Sequence, residues 1–402
     1  GNFKMTVGNP LLHKSMVSCK RKNILSPDIL NKISTPAYVI DEYLLEKNLK
    51  ILSYIQNSTN CKILLALKAF STSACFPLIK KYLSGVTASS LNEAKLGSEE
   101  FGKNVHVYAP AYTPQIFKKL LKYSSHIVMN SFTQWKRLKH LAVFSENLEI
   151  GIRVNPHYSE VANAKYNPCS TNSRFGVSSD TLKNESLDGI SGLHFHALCQ
   201  QPFDVLERVW TQIESKFEKA LYQLRWVNLG GGHYLTHPEY DVKKLITFIN
   251  KIQNKFDISV YMEPGEAVVY NSGFLVTSIL DLGDINPSYA IVDASASAHM
   301  PDILEMPYRP TLLNESPMSS STFKYSIGGP TCLSGDIIGD YSFEKKLKIG
   351  DKLVLTDMAQ YTIVKNTTFN GIELPSIHLL KTDGELKLIK KFNYADFKSR
   401  VG

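Results

Sequence analysis

The sequence predicts an α/β chain in which a (β/α)8 barrel is joined to a β-rich domain. Two observations lead there. Between residues 62 and 263 eight short β-rich runs alternate with amphipathic stretches, and beyond residue 266 the helical period fades into strand-like runs separated by turn residues. Length supplies a third: 402 residues exceed the roughly 250 to 300 at which single cores stop growing, which suits two domains.

The predicted strands are ILLAL (63–67), GVTAS (85–89), VHVYA (105–109), HIVMN (126–130), LEIGIRVN (148–155), ISGLHFH (190–196), RWVNL (225–229) and SVYME (259–263). Helices are predicted between them over 72–83, 91–101, 114–122, 132–144, 202–223 and 239–254, several opening on Ser, Thr or Pro. A doubly wound open sheet gives a similar alternation, but eight βα repeats in roughly 200 to 250 residues are the signature of the barrel. The barrel is expected over 42–279, with 26–41 and 280–402 in the β-rich domain. There AVVYNSGFLVTSIL, SYAIVDA, FKYSIGG, DKLVLTD and YTIVKN read as strands, and NESPMSSST (314–322) as a flexible loop. Residues 1–25 carry Lys4, Lys14, Lys20, Arg21 and Lys22 without an uninterrupted apolar run, and are read as an N-terminal extension outside the fold.

Composition removes several function classes. At 43% hydrophobic and 20% charged the chain is too apolar for disorder, and a net charge of +8 spread along its length does not imply nucleic acid. No run approaches the roughly 18 apolar residues of a spanning helix, so no membrane is expected. The six cysteines, at 19, 61, 75, 169, 199 and 332, form no CxxC and no ligand-like pairing with histidine. Neither a disulfide framework nor a metal site is indicated, and reduced thiols in a cytoplasm are the simplest expectation.

Barrel chemistry sits at the C-terminal ends of the strands. That rule selects Lys68 after the first strand, His196 closing the sixth, Gly230, Gly231 and Gly232 after the seventh, and Glu263 ending the eighth. Each has a plainer alternative: a snorkelling lysine, a core histidine, a tight turn, a solvated turn carboxylate. Together they read differently. Glycines let backbone N–H groups approach a phosphate, and a carboxylate is the partner that a protonated pyridine nitrogen requires. His194 and His196 face one side of their strand; metal ligation, core packing and stacking on a flat cofactor ring all remain open for them.

In order along the chain, TPAYVID, ALKAF, ASSLNEA, SRFGV, GLHFHALCQ, NLGGGH, EPGE, GGPTCLSGD and DMAQYTIVKNTTFNG resemble the fold-type III pyridoxal-phosphate decarboxylases, the ornithine, arginine and diaminopimelate decarboxylase family. The resemblance spans about residues 35–375 and implies an alanine racemase-like barrel. It implies pyridoxal 5'-phosphate held by Lys68 as an internal aldimine, with His196 stacked on the ring and Glu263 at its nitrogen. Gly231, Gly232 and Tyr361 would bind around the phosphate. It also implies a homodimer in which Cys332 of the neighbouring chain protonates the carbon left by carbon dioxide, with Arg174 and Asp336 as assembly residues.

Three departures narrow the substrate. EPGE puts Glu266 where the family commonly has arginine, Leu333 follows Cys332 where an acid is usual, and HALCQQ puts Cys199 at a phosphate-side serine position. These resemble the carboxynorspermidine (carboxyspermidine) decarboxylase branch, which implies a small-molecule carboxylated polyamine as substrate and a place in spermidine biosynthesis. Glu266, Asp302 and Glu305 are the candidates for its distal amines, each bond contributing about 1.5 to 3 kcal/mol. The rivals are a diaminopimelate or ornithine decarboxylase of unusual specificity, and a catalytically silent relative that binds a protein partner.

Overall fold

The computed structural model describes residues 25–102, 104–284 and 288–402. The expected N-terminal extension lies outside the described residues up to residue 24. The chain divides into two compact units: Glu46–Val268, and a unit made of the stretch ending at Leu45 together with Val269–Gly402. The sequence reading had set those divisions at 41/42 and 279/280.

The second unit opens its sheet with β1 (Ala37–Asp41). The first unit is a closed parallel barrel of β2 (Lys62–Ala66), β3 (Gly85–Ala88), β4 (Val105–Tyr108), β5 (His126–Met129), β6 (Glu149–Arg153), β7 (Gly192–His194), β8 (Trp226–Asn228) and β9 (Ser259–Met262). Every predicted barrel strand is present. β2 closes the ring against β9 with Lys62 opposite Tyr261. Side chains alternate along each strand, so Leu64, Val128, Trp226 and Tyr261 meet inside the cylinder as a packed core. Gly192 makes room for this layer: a Cβ there would sit 1.9 Å from the Trp226 indole.

The connecting helices start where the sequence supplies caps. The side chains of Ser90, Thr113, Ser131 and Asp241 each accept a first-turn N–H. Such caps contribute about 0.5 to 2 kcal/mol apiece. The predicted helix over 72–83 shrinks to a 3-10 turn, Ser73–Cys75, and one helical turn, Phe76–Ile79, because Pro77 supplies no N–H to continue the preceding turn.

Strands β10 (Gly273–Gly283), β11 (Ser288–Val292), β12 (Phe323–Gly328), β13 (Ile337–Phe343), β14 (Lys352–Leu355), β15 (Ser376–Leu380) and β16 (Leu386–Lys390) complete the sheet. Its order is β13-β12-β11-β10-β1-β15-β16, with β14 also paired to β10. One face buries Tyr38, Leu275, Val292, Ile327 and Tyr341, the other Val39, Phe274, Val276 and Leu380. Two strand expectations need correction. The first half of AVVYNSGFLVTSIL forms a helical turn, Glu266–Val269. YTIVKN is a turn, in which Tyr361 adopts a φ of 52° and the Thr362 hydroxyl donates to Met358 O. That left-handed backbone breaks the extended geometry that the β-branched residues would otherwise favour.

Candidate active site

At the C-terminal mouth of the barrel Lys68, Thr87, Ser89, Tyr108, Arg153, His194, His196, Gly231 and Glu263 line one solvent-open cleft. Lys68, His196, Gly231 and Glu263, predicted from four different strand ends, therefore meet in one place.

Glu263 is the fixed point. Its Oε1 lies 2.7 Å from His194 Nε2, its Oε2 accepts from Asn228 Nδ2 at 3.1 Å, and the Thr87 hydroxyl adds a further bond. Burial alone would push this carboxyl up, but His194, Lys68 and Thr87 outweigh it and hold it at about 2. Glu263 is an anion at every pH the protein meets. Lys68 opens into the cleft, yet the protein packed around its amine lowers its pKa, and the Arg153 cation adds to this. Glu263, Cys199 and Glu93 pull the other way. The net direction favours the uncharged amine, the nucleophilic form.

His196 is neutral, kept so chiefly by burial, with the Arg153 cation adding to it. Its tautomer is set by the glycine loop: the Gly231 N–H donates to His196 Nδ1 at 3.0 Å, which leaves the proton on Nε2. The glycines also serve packing. A Cβ on Gly232 would sit 2.0 Å from Leu198 O, and Gly232 has a φ of +80°. The Gly230 amide donates to Asn228 Oδ1, so two of the three glycine amides are already engaged within the protein.

Arg153 was not singled out from the sequence, although it ends β6 and the strand-end rule applies to it. Its guanidinium lies 4.6 Å from the Tyr108 ring and 4.7 Å from the Phe175 ring. Asn130 fixes both neighbours, accepting from Tyr108 Oη at 2.7 Å and from the Gly176 N–H at 2.7 Å. The cleft thus presents an amine of lowered pKa, a flat neutral imidazole, a buried carboxylate and a guanidinium. These suit an aldehyde, an aromatic ring, a protonated ring nitrogen and anionic oxygens respectively, so the donor set fits pyridoxal phosphate.

The remaining predicted residues stand elsewhere. Glu266 does not line this cleft; its Oε2 accepts from Gln200 Nε2 at 2.6 Å. Cys332, Tyr361, Asp302 and Glu305 belong to the sheet unit. Asp302 and Glu305 both bind Lys365 Nζ, at 2.8 and 2.6 Å. Cys332 is exposed on a loop braced from within its own unit: its N–H donates to Asn370 Oδ1, and Asp336 accepts from Ser295 Oγ and Thr331 Oγ1. Among the described residues no helix is long and apolar enough to cross a membrane.

Comparison with known proteins agrees with this geometry. The family described as Pyridoxal-dependent decarboxylase, C-terminal sheet domain, matches residues 37–359. A carboxynorspermidine/carboxyspermidine decarboxylase of Campylobacter jejuni is 42% identical over 380 residues, which is 92% of this chain and 99% of the relative. A carboxyaminopropylagmatine decarboxylase of Synechocystis is 41% identical over 382 residues, 94% of this chain and 98% of the relative. The crystal structure of the carboxynorspermidine decarboxylase from Campylobacter jejuni, complexed with norspermidine, matches with a TM-score of 0.86 at 41% identity, over 92% of this chain and 100% of that one. The clustering of lysine, imidazole and carboxylate at the barrel mouth thus has its explanation in descent: the chain belongs to the pyridoxal-dependent decarboxylases and is an enzyme that uses pyridoxal phosphate to remove a carboxylate.

Proposed function

We propose that the substrate is a carboxylated linear polyamine, carboxynorspermidine or carboxyspermidine, and the product norspermidine or spermidine. The observation that carries this is an acid, Glu266, which follows Glu263 in EPGE and accepts from Gln200 at the head of the helical turn after β9. The names borne by the Campylobacter jejuni relative and its norspermidine complex support it. A second reading comes from the Synechocystis relative, whose substrate name denotes a guanidine-bearing tail, at nearly equal identity.

Bound pyridoxal phosphate supplies an electron sink for the charge left when carbon dioxide departs from an amino-acid head. The chain's own residues set the conditions. Lys68, whose pKa burial lowers, offers the amine for covalent attachment and for exchange with the substrate amine. Glu263 would pair with the protonated ring nitrogen, the His196 imidazole would offer its face to the ring, and the Arg153 guanidinium would offset the charge of anionic oxygens. Cys332 of a second copy delivers the proton to carbon. Complementation tests that last step. Lys68→Ala and Cys332→Ala should each be inactive alone, and mixed as dimers should recover up to about a quarter of wild-type sites. Mixtures that stay inactive would remove Cys332 from the neighbouring chain's site.

For the distal amines Glu266 is the first candidate, because it closes the EPGE segment that Glu263 opens and the Gln200 amide donates to it. At Asp302 and Glu305 a substrate ammonium must compete with Lys365. The experiment is product identification by mass spectrometry, with specificity constants for wild type and Glu266→Gln. The panel is carboxynorspermidine, carboxyspermidine, carboxyaminopropylagmatine, diaminopimelate and ornithine. Wild type should favour a carboxylated triamine. Glu266→Gln should lose about tenfold to a hundredfold in kcat/KM on it and reject diaminopimelate less strongly. Unchanged constants would remove Glu266 from the substrate site; preference for the guanidine compound would establish the second reading.

A further inference from the structure

Asn228 ends β8 just before the glycine loop and is fully buried, at 0% exposed. Its carboxamide is engaged at both ends. Oδ1 accepts the Gly230 N–H at 2.8 Å, and Nδ2 donates to Glu263 Oε2 at 3.1 Å. The partners fix which end is which: a backbone N–H can only donate, so the amide oxygen must face Gly230 and the amino group is left for the carboxylate. The bond to Gly230 alone is an Asx turn, a device that asparagine supplies in ordinary loops. The bond to Glu263 goes further, because it joins that turn to a side chain beyond the next strand.

Each end of the carboxamide leads to a group that lines the cleft. On one side, Glu263 is held at both oxygens, by His194 Nε2 at Oε1 and by Asn228 Nδ2 at Oε2. His194 and Asn228 face each other in the register of β7 and β8, so two contacts from adjacent strands fix the plane of the carboxylate as well as its position. On the other side, the Gly230 turn runs straight into the Gly231 N–H that donates to His196 Nδ1 at 3.0 Å. The loop is tightly enclosed: Gly230 has a φ of +72°, a Cβ on it would sit 2.3 Å from Phe195 O, and one on Gly231 would sit 2.7 Å from Glu263 O. The Glu263 N–H also donates to Gly230 O at 3.0 Å, so backbone and side chain tie the same two segments together.

We propose that Asn228 is a positioning residue that holds Glu263 and the glycine loop in one register, its Nδ2 orienting the carboxylate and its Oδ1 setting the turn that places the Gly231 amide on His196. Asn228 does not itself line the cleft; it acts through the two groups that do. Its bearing on the reaction rests on the reading that Glu263 faces the cofactor's ring nitrogen.

The test uses holoenzyme with isotope-labelled nitrogen in the pyridoxal phosphate ring and in histidine, so that NMR reports both the protonation of the ring nitrogen and the tautomer of His196. Wild type should show a protonated ring nitrogen, and His196 as the Nε2–H tautomer with a hydrogen-bonded Nδ1. Asn228→Leu, similar in size but without polar atoms, should move both signals and lower kcat about tenfold or more with KM little changed. Asn228→Asp keeps an acceptor for the Gly230 N–H but sets an oxygen against Glu263 Oε2. It should leave the His196 signal in place while moving the ring-nitrogen signal and lowering kcat. General loosening of the strand end would not produce that split. Either signal unmoved in Asn228→Leu, or the His196 signal displaced in Asn228→Asp as far as in Asn228→Leu, overturns the proposal. An unprotonated ring nitrogen in wild type, or one that does not respond to Glu263→Gln, overturns instead the placing of Glu263 at the ring. Should the substituted chains fail to fold, the side-chain N–H signals of Asn228 in the unaltered enzyme decide: protection from solvent exchange is expected, and rapid exchange overturns the proposal.

Discussion

Replacing Lys68 by alanine is expected to lower turnover by about 10³-fold or more while leaving the fold intact. Lys68 makes no hydrogen bond or ion pair among the described residues and opens into the cleft, so its removal leaves no buried group unpaired. What disappears is an amine whose pKa its surroundings lower. The variant should melt near the wild-type temperature, lose the yellow colour of the loaded enzyme, and regain a little activity from a small soluble amine. Near-normal turnover in Lys68→Ala would mean that another group carries the cofactor.

Glu263→Gln should lower kcat by about 10²-fold or more. The amide preserves the shape and can still accept from His194 Nε2, but it brings a second donor up to Asn228 Nδ2 and removes the only buried anion in the cleft. Two consequences separate. The ring nitrogen loses the charge that keeps its proton, which lowers kcat. Glu263 also raises the Lys68 pKa, so its loss should lower that pKa further. The rate at which unloaded protein captures pyridoxal phosphate should then rise to its plateau at a lower pH than in wild type. A capture profile displaced to higher pH would contradict the electrostatic coupling of the two residues.

The barrel was legible because each strand is a short β-rich run bounded by turn residues, and because the C-terminal-end rule converts strand position into site position. Lys68, His196, Gly231 and Glu263 are brought together on that basis. Arg153 obeys the same rule, but its position depends on Tyr108 and Phe175, which come from another strand and from the SRFGV loop and are joined by Asn130 and by their own ring contact. Three-dimensional bonding of that kind leaves no local pattern. The glycine triplet reads in the sequence as a phosphate loop or a tight turn, whereas the structure shows it also setting the His196 tautomer and clearing Leu198. YTIVKN failed for a backbone reason: its β-branched residues fit a strand, but the left-handed turn at Tyr361 closes the segment on itself.

The most direct measurement reduces the loaded enzyme with borohydride, digests it, and maps the fixed pyridoxyl mass along the chain. The mass is expected on the ALKAF peptide at Lys68, and to vanish with Lys68→Ala. A pyridoxyl group fixed at any other lysine, or none fixed at all, would contradict the assignment of this cleft as the site of decarboxylation.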